Sequence, residues 1–200
     1  SMVGPALLIP LYVQNALGLS ALLSGLVIMP GAIINGIMSV FTGKFYDKYG
    51  PRPLIFTGFI LLISCTFLLC FLKVDTSYTY LIVIYAIRMF AVSLLMMPIN
   101  TTGINALKTE DISHGTAIMN FGRVMAGSLG TALMVTFMSI GAQWVVSSSE
   151  HASKEMIQRQ SVAVGVDVSF ALVTVFVIIA FVLALFIKEP NHLTHNSRKV

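Results

Sequence analysis

The chain is short of charge. Lys, Arg, Asp and Glu together make up 10% of its 200 residues, against roughly a quarter in ordinary soluble domains. So few charges cannot cover a globular surface, which excludes a water-soluble domain. The basic residues are dispersed and form no patch with interleaved aromatics, so the net charge of +4 marks no nucleic-acid surface. Cysteine is reduced to Cys65 and Cys70, five apart in one apolar stretch. On a helix that spacing puts them on different faces, so they cannot bridge each other, and they leave the redox compartment open. His192 and His195 stand in the tail without further ligands at metal-binding spacing, so neither a metal nor a cofactor is expected. A basic leader and a small-residue cleavage site are missing as well. Val3-Gly4-Pro5-Ala6-Leu7-Leu8-Ile9 opens directly in apolar sequence, which excludes a signal peptide and reads as a chain beginning inside a helix.

What is present is long apolar sequence, 56% hydrophobic residues with a mean hydropathy of +0.89. A membrane-spanning helix needs about 20 mostly apolar residues. One incomplete candidate (3–17) and five complete ones (20–42, 54–72, 79–103, 115–139 and 166–187) meet that need. These runs are too long for barrel strands of about 9–11 residues, and they lack strict alternation. A bilayer forces every backbone polar group to be paired internally, so the remaining architecture is an all-α polytopic transmembrane helix bundle over 1–190, with 191–200 as a tail. The one long connector is 140–165, Ser-rich and charged through Ser147-Ser148-Ser149-Glu150-His151.

Lys and Arg divide unevenly between the connectors. Lys44, Lys48 and Arg52, then Lys108, then Lys188, Arg198 and Lys199 fall on one side; Lys73, Lys154 and Arg159 fall on the other. The positive-inside rule puts the richer side, with the C-terminus, in the cytoplasm. Tyr46 and Tyr49 then belong to the inner interface, and Tyr78, Tyr80 and Trp144 to the outer one.

Several residues inside the apolar runs carry functional promise. Arg88 and Arg123 each cost roughly 2.5–3.5 kcal/mol at a helix centre, so each is expected to face the bundle interior or a watery cavity. With Gln14, Asn35, Asn100 and Asn120 they make a candidate cavity set. Gly122, Ala126 and Gly130 at steps of four, with Gly127 beside them, form a stripe that admits a second helix, either as static packing or as a sliding contact. Pro30-Gly31 and Met97-Pro98 interrupt two runs and suit helices that bow around a cavity. No Asp or Glu lies at mid-membrane depth; Asp167 opens the last run, where an acid suits the helix dipole. An intramembrane enzyme would need paired His, Asp or Glu at depth, and none is found, so no catalytic residues are expected.

The connector Gly43-Lys44-Phe45-Tyr46-Asp47-Lys48-Tyr49-Gly50-Pro51-Arg52-Pro53 reads as a chain reversal of about ten residues, with Gly at strained positions and Pro stiffening its exit. Asp47 either accepts hydrogen bonds from a neighbouring helix N-terminus or balances Lys44 and Lys48. Gly43, Asp47, Lys48, Gly50 and Arg52 resemble motif A of the major facilitator superfamily, in the form that recurs in its C-terminal half. Pro51 departs from it, where a basic residue is usual. Ile9-Pro10-Leu11-Tyr12-Val13-Gln14-Asn15, Ser24-Gly25-Leu26, Met29-Pro30-Gly31, Met97-Pro98-Ile99-Asn100-Thr101, His114-Gly115-Thr116-Ala117 and Gly127-Ser128-Leu129-Gly130-Thr131-Ala132 resemble the EmrB/QacA-type drug:proton antiporters. The resemblance implies the last six of fourteen helices, the first of them truncated. It further implies a missing N-terminal half as partner, and export of lipophilic or cationic compounds against inward proton flow. A carrier of one metabolite, or a non-transporting membrane assembly protein, are the alternatives. Arginine does not release its proton at physiological pH, so the proton carrier is expected in the missing half.

Overall fold

The computed structural model describes residues 3–72, 76–105, 107–148 and 154–186. They form six helices: α1 (Val3–Asn15), α2 (Ala21–Tyr49), α3 (Pro51–Leu68), α4 (Tyr78–Asn105), α5 (Ile112–Ser148) and α6 (Lys154–Leu185). A 3-10 turn over Leu69–Phe71 extends α3, another over Thr109–Asp111 leads into α5, and there is no strand among the described residues. Five of the helices are long and apolar enough to cross a membrane, as composition demands. At 1.5 Å per residue, the 13 residues of α1 reach only about 20 Å, short of a hydrocarbon core about 30 Å thick.

Two boundaries differ from the sequence reading. The supposed long connector 140–165 is mostly helical, because α5 runs on to Ser148 and α6 already begins at Lys154. α5 and α6 reach about 55 and 48 Å and exceed any bilayer core, so their ends at Ser148 and Lys154 leave the apolar layer, while Ser149, Glu150 and His151 lie outside the described residues. The supposed ten-residue reversal after residue 42 is likewise helix. α2 continues through Gly43 to Tyr49, and only Gly50 departs, at φ 77° and ψ 176°, before Pro51 starts α3. That positive φ is open to Gly and costly for other residues, and Pro suits the first helical position because its missing N–H costs nothing there.

α4 is the hub. It packs on α2 and on α3; α5 pairs with α6, α3 joins α6, and α1 lies against α2, α5 and α6. Gly31 lets α2 approach α4 closely, since a Cβ there would meet the Tyr85 ring at 2.8 Å. The α5–α6 pair is closer still. A Cβ on Gly141 would come within 2.9 Å of the Gly165 Cα, one on Gly165 would collide with the Met138 carbonyl, and Ser169 Oγ donates to the Met134 carbonyl at 2.7 Å. One apolar cluster gathers Tyr12, Val27, Cys65, Leu81, Tyr85 and Phe170; a second gathers Leu8, Phe59, Leu62, Leu95, Met134 and Val173. By contrast α2 and α5 leave long apolar faces exposed, with Leu22, Met29, Ile37, Ile118, Phe121 and Val124 among them.

Candidate functional site

The six polar cavity candidates separate into three groups. Two are spent on helix pairing: Gln14 Nε2 donates to Ser24 Oγ at 3.1 Å across the α1–α2 turn, and Asn35 Nδ2 donates to the Met89 carbonyl at 3.2 Å, joining α2 to α4. Arg88 is fully buried within the bundle, in electrostatic range of Tyr85 and Cys65. Its charge is therefore turned into the bundle interior, as its membrane cost requires.

Asn100 and Arg123 form the third group. Arg123 Nη2 donates to Asn100 Oδ1 at 2.5 Å, tying α4 to α5 where the two helices otherwise scarcely touch. Asn120 lies one turn earlier on α5, exposed, and has no hydrogen-bond partner among the described residues. Arg123 borders two hollows. On one side a cavity of about 470 Å³ is walled by Phe59 and Leu62 of α3, Leu95 and Met96 of α4, and Phe176 of α6. On the other an open groove of about 520 Å³ follows Gly127, Ser128 and Thr131 along α5. The polar candidates lie on α1, α2, α4 and α5, whereas apolar walls also come from α3 and α6, whose Phe and Leu side chains carry no signal in the sequence that separates a cavity wall from a core.

The small-residue stripe does not serve the packing expected of it within this bundle. A Cβ on Gly122 or Gly130 would meet nothing within 4 Å, and Ala126 is exposed beside a half-buried Gly127. The close helix approach falls on Gly141 and Gly165 instead. Ala126, Gly127 and Gly130 line a third hollow of about 290 Å³, with Gly4, Met134 and Phe176.

Around Gly50 the motif residues stand on the exposed end of α2 and the start of α3. Asp47 does not cap α3, which has no side-chain cap among the described residues. It pairs with neither lysine among the described residues; Lys44 Nζ lies 5.8 Å from the Phe41 ring centroid and Lys48 Nζ 5.2 Å from that of Tyr49, within cation–π range. Gly43 leaves room for Met97 at 3.7 Å from an added Cβ, a contact from α2 to α4. Asp167 is also displaced from its expected place. It sits more than three turns inside α6 rather than at its start, and Oδ1 accepts from the Leu72 N–H at 3.0 Å. Its role is to hold the end of α3, not to answer the dipole of α6. Two turns on, Thr174 Oγ1 lies 3.6 Å from Cys70 Sγ, and both cysteines are free thiols. No group of His, Cys, Asp or Glu suited to a metal ion occurs among the described residues.

Comparison with known sequences gives a consistent picture. The family model described as Major Facilitator Superfamily matches residues 1–131. The lincomycin resistance protein LmrB of Listeria monocytogenes is 37% identical over 92% of this chain and 39% of its own length. The MFS-type transporter YhcA of Bacillus subtilis is 47% identical over 64% of this chain and 24% of its own. The multidrug export protein EmrB of Escherichia coli is 29% identical over 66% of this chain and 26% of its own. The chain thus spans about two-fifths of the length of curated relatives such as LmrB.

Proposed function

This chain belongs to the major facilitator superfamily, and from that membership we propose that it is the C-terminal transmembrane part of a multidrug efflux transporter working by proton antiport. The observation that carries the reading is the match to a lincomycin resistance protein across 92% of the chain. The geometry agrees with a half-site. The open faces of α2 and α5, with the Asn100–Arg123 pair between α4 and α5, suit a cavity closed by a second, N-terminal helix bundle. Substrate binds near the midplane between the two, and rocking of one against the other alternates access.

The orientation follows from the distribution of Lys and Arg. The Gly50 turn, the 106–111 connector and the C-terminus face the cytoplasm, and the α5–α6 hairpin faces outward. A proton-coupled cycle needs a group that changes charge. Asp167 is engaged by the Leu72 N–H at the end of α3, a tie between helices of this bundle. Our reading assigns the carrier to the N-terminal bundle.

The test is efflux of a lipophilic dye from cells expressing the full-length protein, with the proton gradient intact and collapsed. Efflux that stops on collapse is the expected result. Efflux indifferent to the gradient would remove the antiport reading. No efflux at all would turn the assignment toward a carrier of one metabolite.

A further inference from the structure

The Asn100–Arg123 pair combines features that a purely structural arginine lacks. The residue stands about three turns inside α5, measured from Ile112, and five residues before the end of α4 its partner Asn100 meets it. At that depth a guanidinium is expensive, and such charges are matched by a counter-charge or open on a wet cavity. Asn100 is neutral, and no carboxylate pairs with Arg123 among the described residues. Arg123 is exposed rather than folded into the core, in contrast to Arg88. It borders both the 470 Å³ cavity and the groove along α5.

We propose, building on the efflux reading above, that Arg123 braced by Asn100 selects substrate by charge, and that its ligand is an amphipathic organic anion. The lipophilic body occupies the cavity walled by Phe59, Leu62, Met96 and Phe176, and the anionic group lies on the guanidinium. Charge complementarity decides the class. The walls supply apolar and aromatic surface with a single cation at their edge, a volume in the range of about 300–1,000 Å³ usual for small-molecule sites. Guanidinium binds carboxylate, phosphate or sulfonate through two parallel hydrogen bonds, and its strength rises as water is excluded. Asn100 occupies one donor and fixes the plane, which leaves the remaining donors aimed by a held side chain. A permanent cation at the same place repels cationic substrates, so the broader expectation of lipophilic or cationic cargo narrows to anionic and neutral lipophiles on this half.

The experiment measures binding to purified full-length protein of two dyes sharing one lipophilic core, one a free carboxylate and the other its neutral ester. Wild type is expected to prefer the carboxylate. Arg123→Gln is expected to weaken the carboxylate by about 10- to 100-fold, the range of one charge-assisted hydrogen bond, while the ester changes by about 2-fold or less. Arg123→Lys retains part of the preference, because it keeps the charge and loses the fork. Equal loss of both dyes in Arg123→Gln, with the lysine variant behaving the same, would mark Arg123 as structural and overturn the proposal. So would a wild type that binds ester and carboxylate alike, or displacement of the carboxylate by anionic phospholipid but by no soluble anion. As an independent check, Met96→Cys in a background lacking Cys65 and Cys70 is expected to react with a lipophilic maleimide, and to be protected by the carboxylate dye. A cysteine there that never reacts would mean that polypeptide fills the cavity, and the proposal would fall. Because these measurements need no gradient, they stand apart from the transport assay. Carboxylate binding without any efflux would sink the efflux reading and leave the charge subsite standing.

Discussion

The two ends of the bundle are built differently. At the end carrying the α1–α2 and α3–α4 connections, side chains cross from helix to helix. Tyr78 Oη donates to the Leu23 carbonyl at 2.8 Å, Tyr80 Oη to the Leu68 carbonyl at 3.2 Å, Gln14 to Ser24, and Asp167 accepts from Leu72. At the opposite end, with the Gly50 turn and the start of α5, Arg52 is also engaged, but the ties named among the described residues are of another kind. Lys44 and Lys48 rest on rings of their own helix, and Asn100–Arg123 is the polar link from α4 to α5. One end is laced and the other parts. In an environment where apolar contact between helices competes with equally apolar lipid, polar ties and close backbone packing decide which helices stay together. A bundle laced at one end can move as a unit while its other end opens onto a ligand, which is what the rocking proposed above requires.

That contrast can be broken most severely at the α5–α6 crossing. Gly165→Val would drive a side chain into the Met138 carbonyl, backbone that cannot rotate away. Overpacking costs typically about 1–3 kcal/mol and more where backbone must shift, so the expected outcome is loss of folded protein in a detergent-solubilised thermal stability assay. A Gly165→Val variant with wild-type stability would show that the crossing is looser than described.

The lacing itself is tested next. Asp167→Ala removes the acceptor of the Leu72 N–H, and Leu72 is buried. A buried donor left unsatisfied costs about 1–3 kcal/mol. The midpoint of thermal unfolding should fall, and Asp167→Asn, which keeps an oxygen acceptor, should recover most of the loss. Equal damage from both variants would mean that the carboxylate charge, not the hydrogen bond, matters. Tyr78→Phe is milder. It deletes one hydroxyl donor to a carbonyl at the start of α2, worth about 0.5–1.5 kcal/mol, and faster hydrogen exchange at the α2 N-terminus is the measurement that registers it.

The span count and helical class were legible in the sequence because the bilayer leaves only helices once apolar runs are this long. Connector lengths were not. Helix end and membrane end differ wherever a helix leaves the apolar layer, as at Ser148 and Lys154, and polar composition marks only the second. The turn at residues 43–53 misled in the same way: its charges announce water, while its backbone stays helical up to Gly50. Within the site, the sequence singled out Asn100 and Arg123 as polar residues in apolar helices, and the structure joins them. It singled out Asn35 and Arg88 by the same rule, and there Asn35 is bonded to the Met89 carbonyl and Arg88 is buried in the bundle. Residue type reports that a polar group must be answered. Only tertiary position says whether a carbonyl, the core or a ligand answers it.

The smallest expected effect falls on the open side. Gly122 and Gly130 meet nothing within 4 Å, so alanine fits at both without displacing a neighbour. Replacing glycine by alanine inside a helix should stabilise by about 0.5–1 kcal/mol through the unfolded chain's lost freedom. Stability of the Gly122→Ala and Gly130→Ala variants of the full-length protein is therefore expected to hold or rise slightly. Transport then separates the two meanings of the stripe. If efflux also holds, the stripe faces lipid or open cavity throughout the cycle. If efflux falls while stability does not, another helix must come against Gly122 and Gly130 in a state other than this one, and the added methyl groups obstruct it. A drop in both would mean that the stripe is packed from outside this bundle, and the parted end would then be closed in the whole transporter.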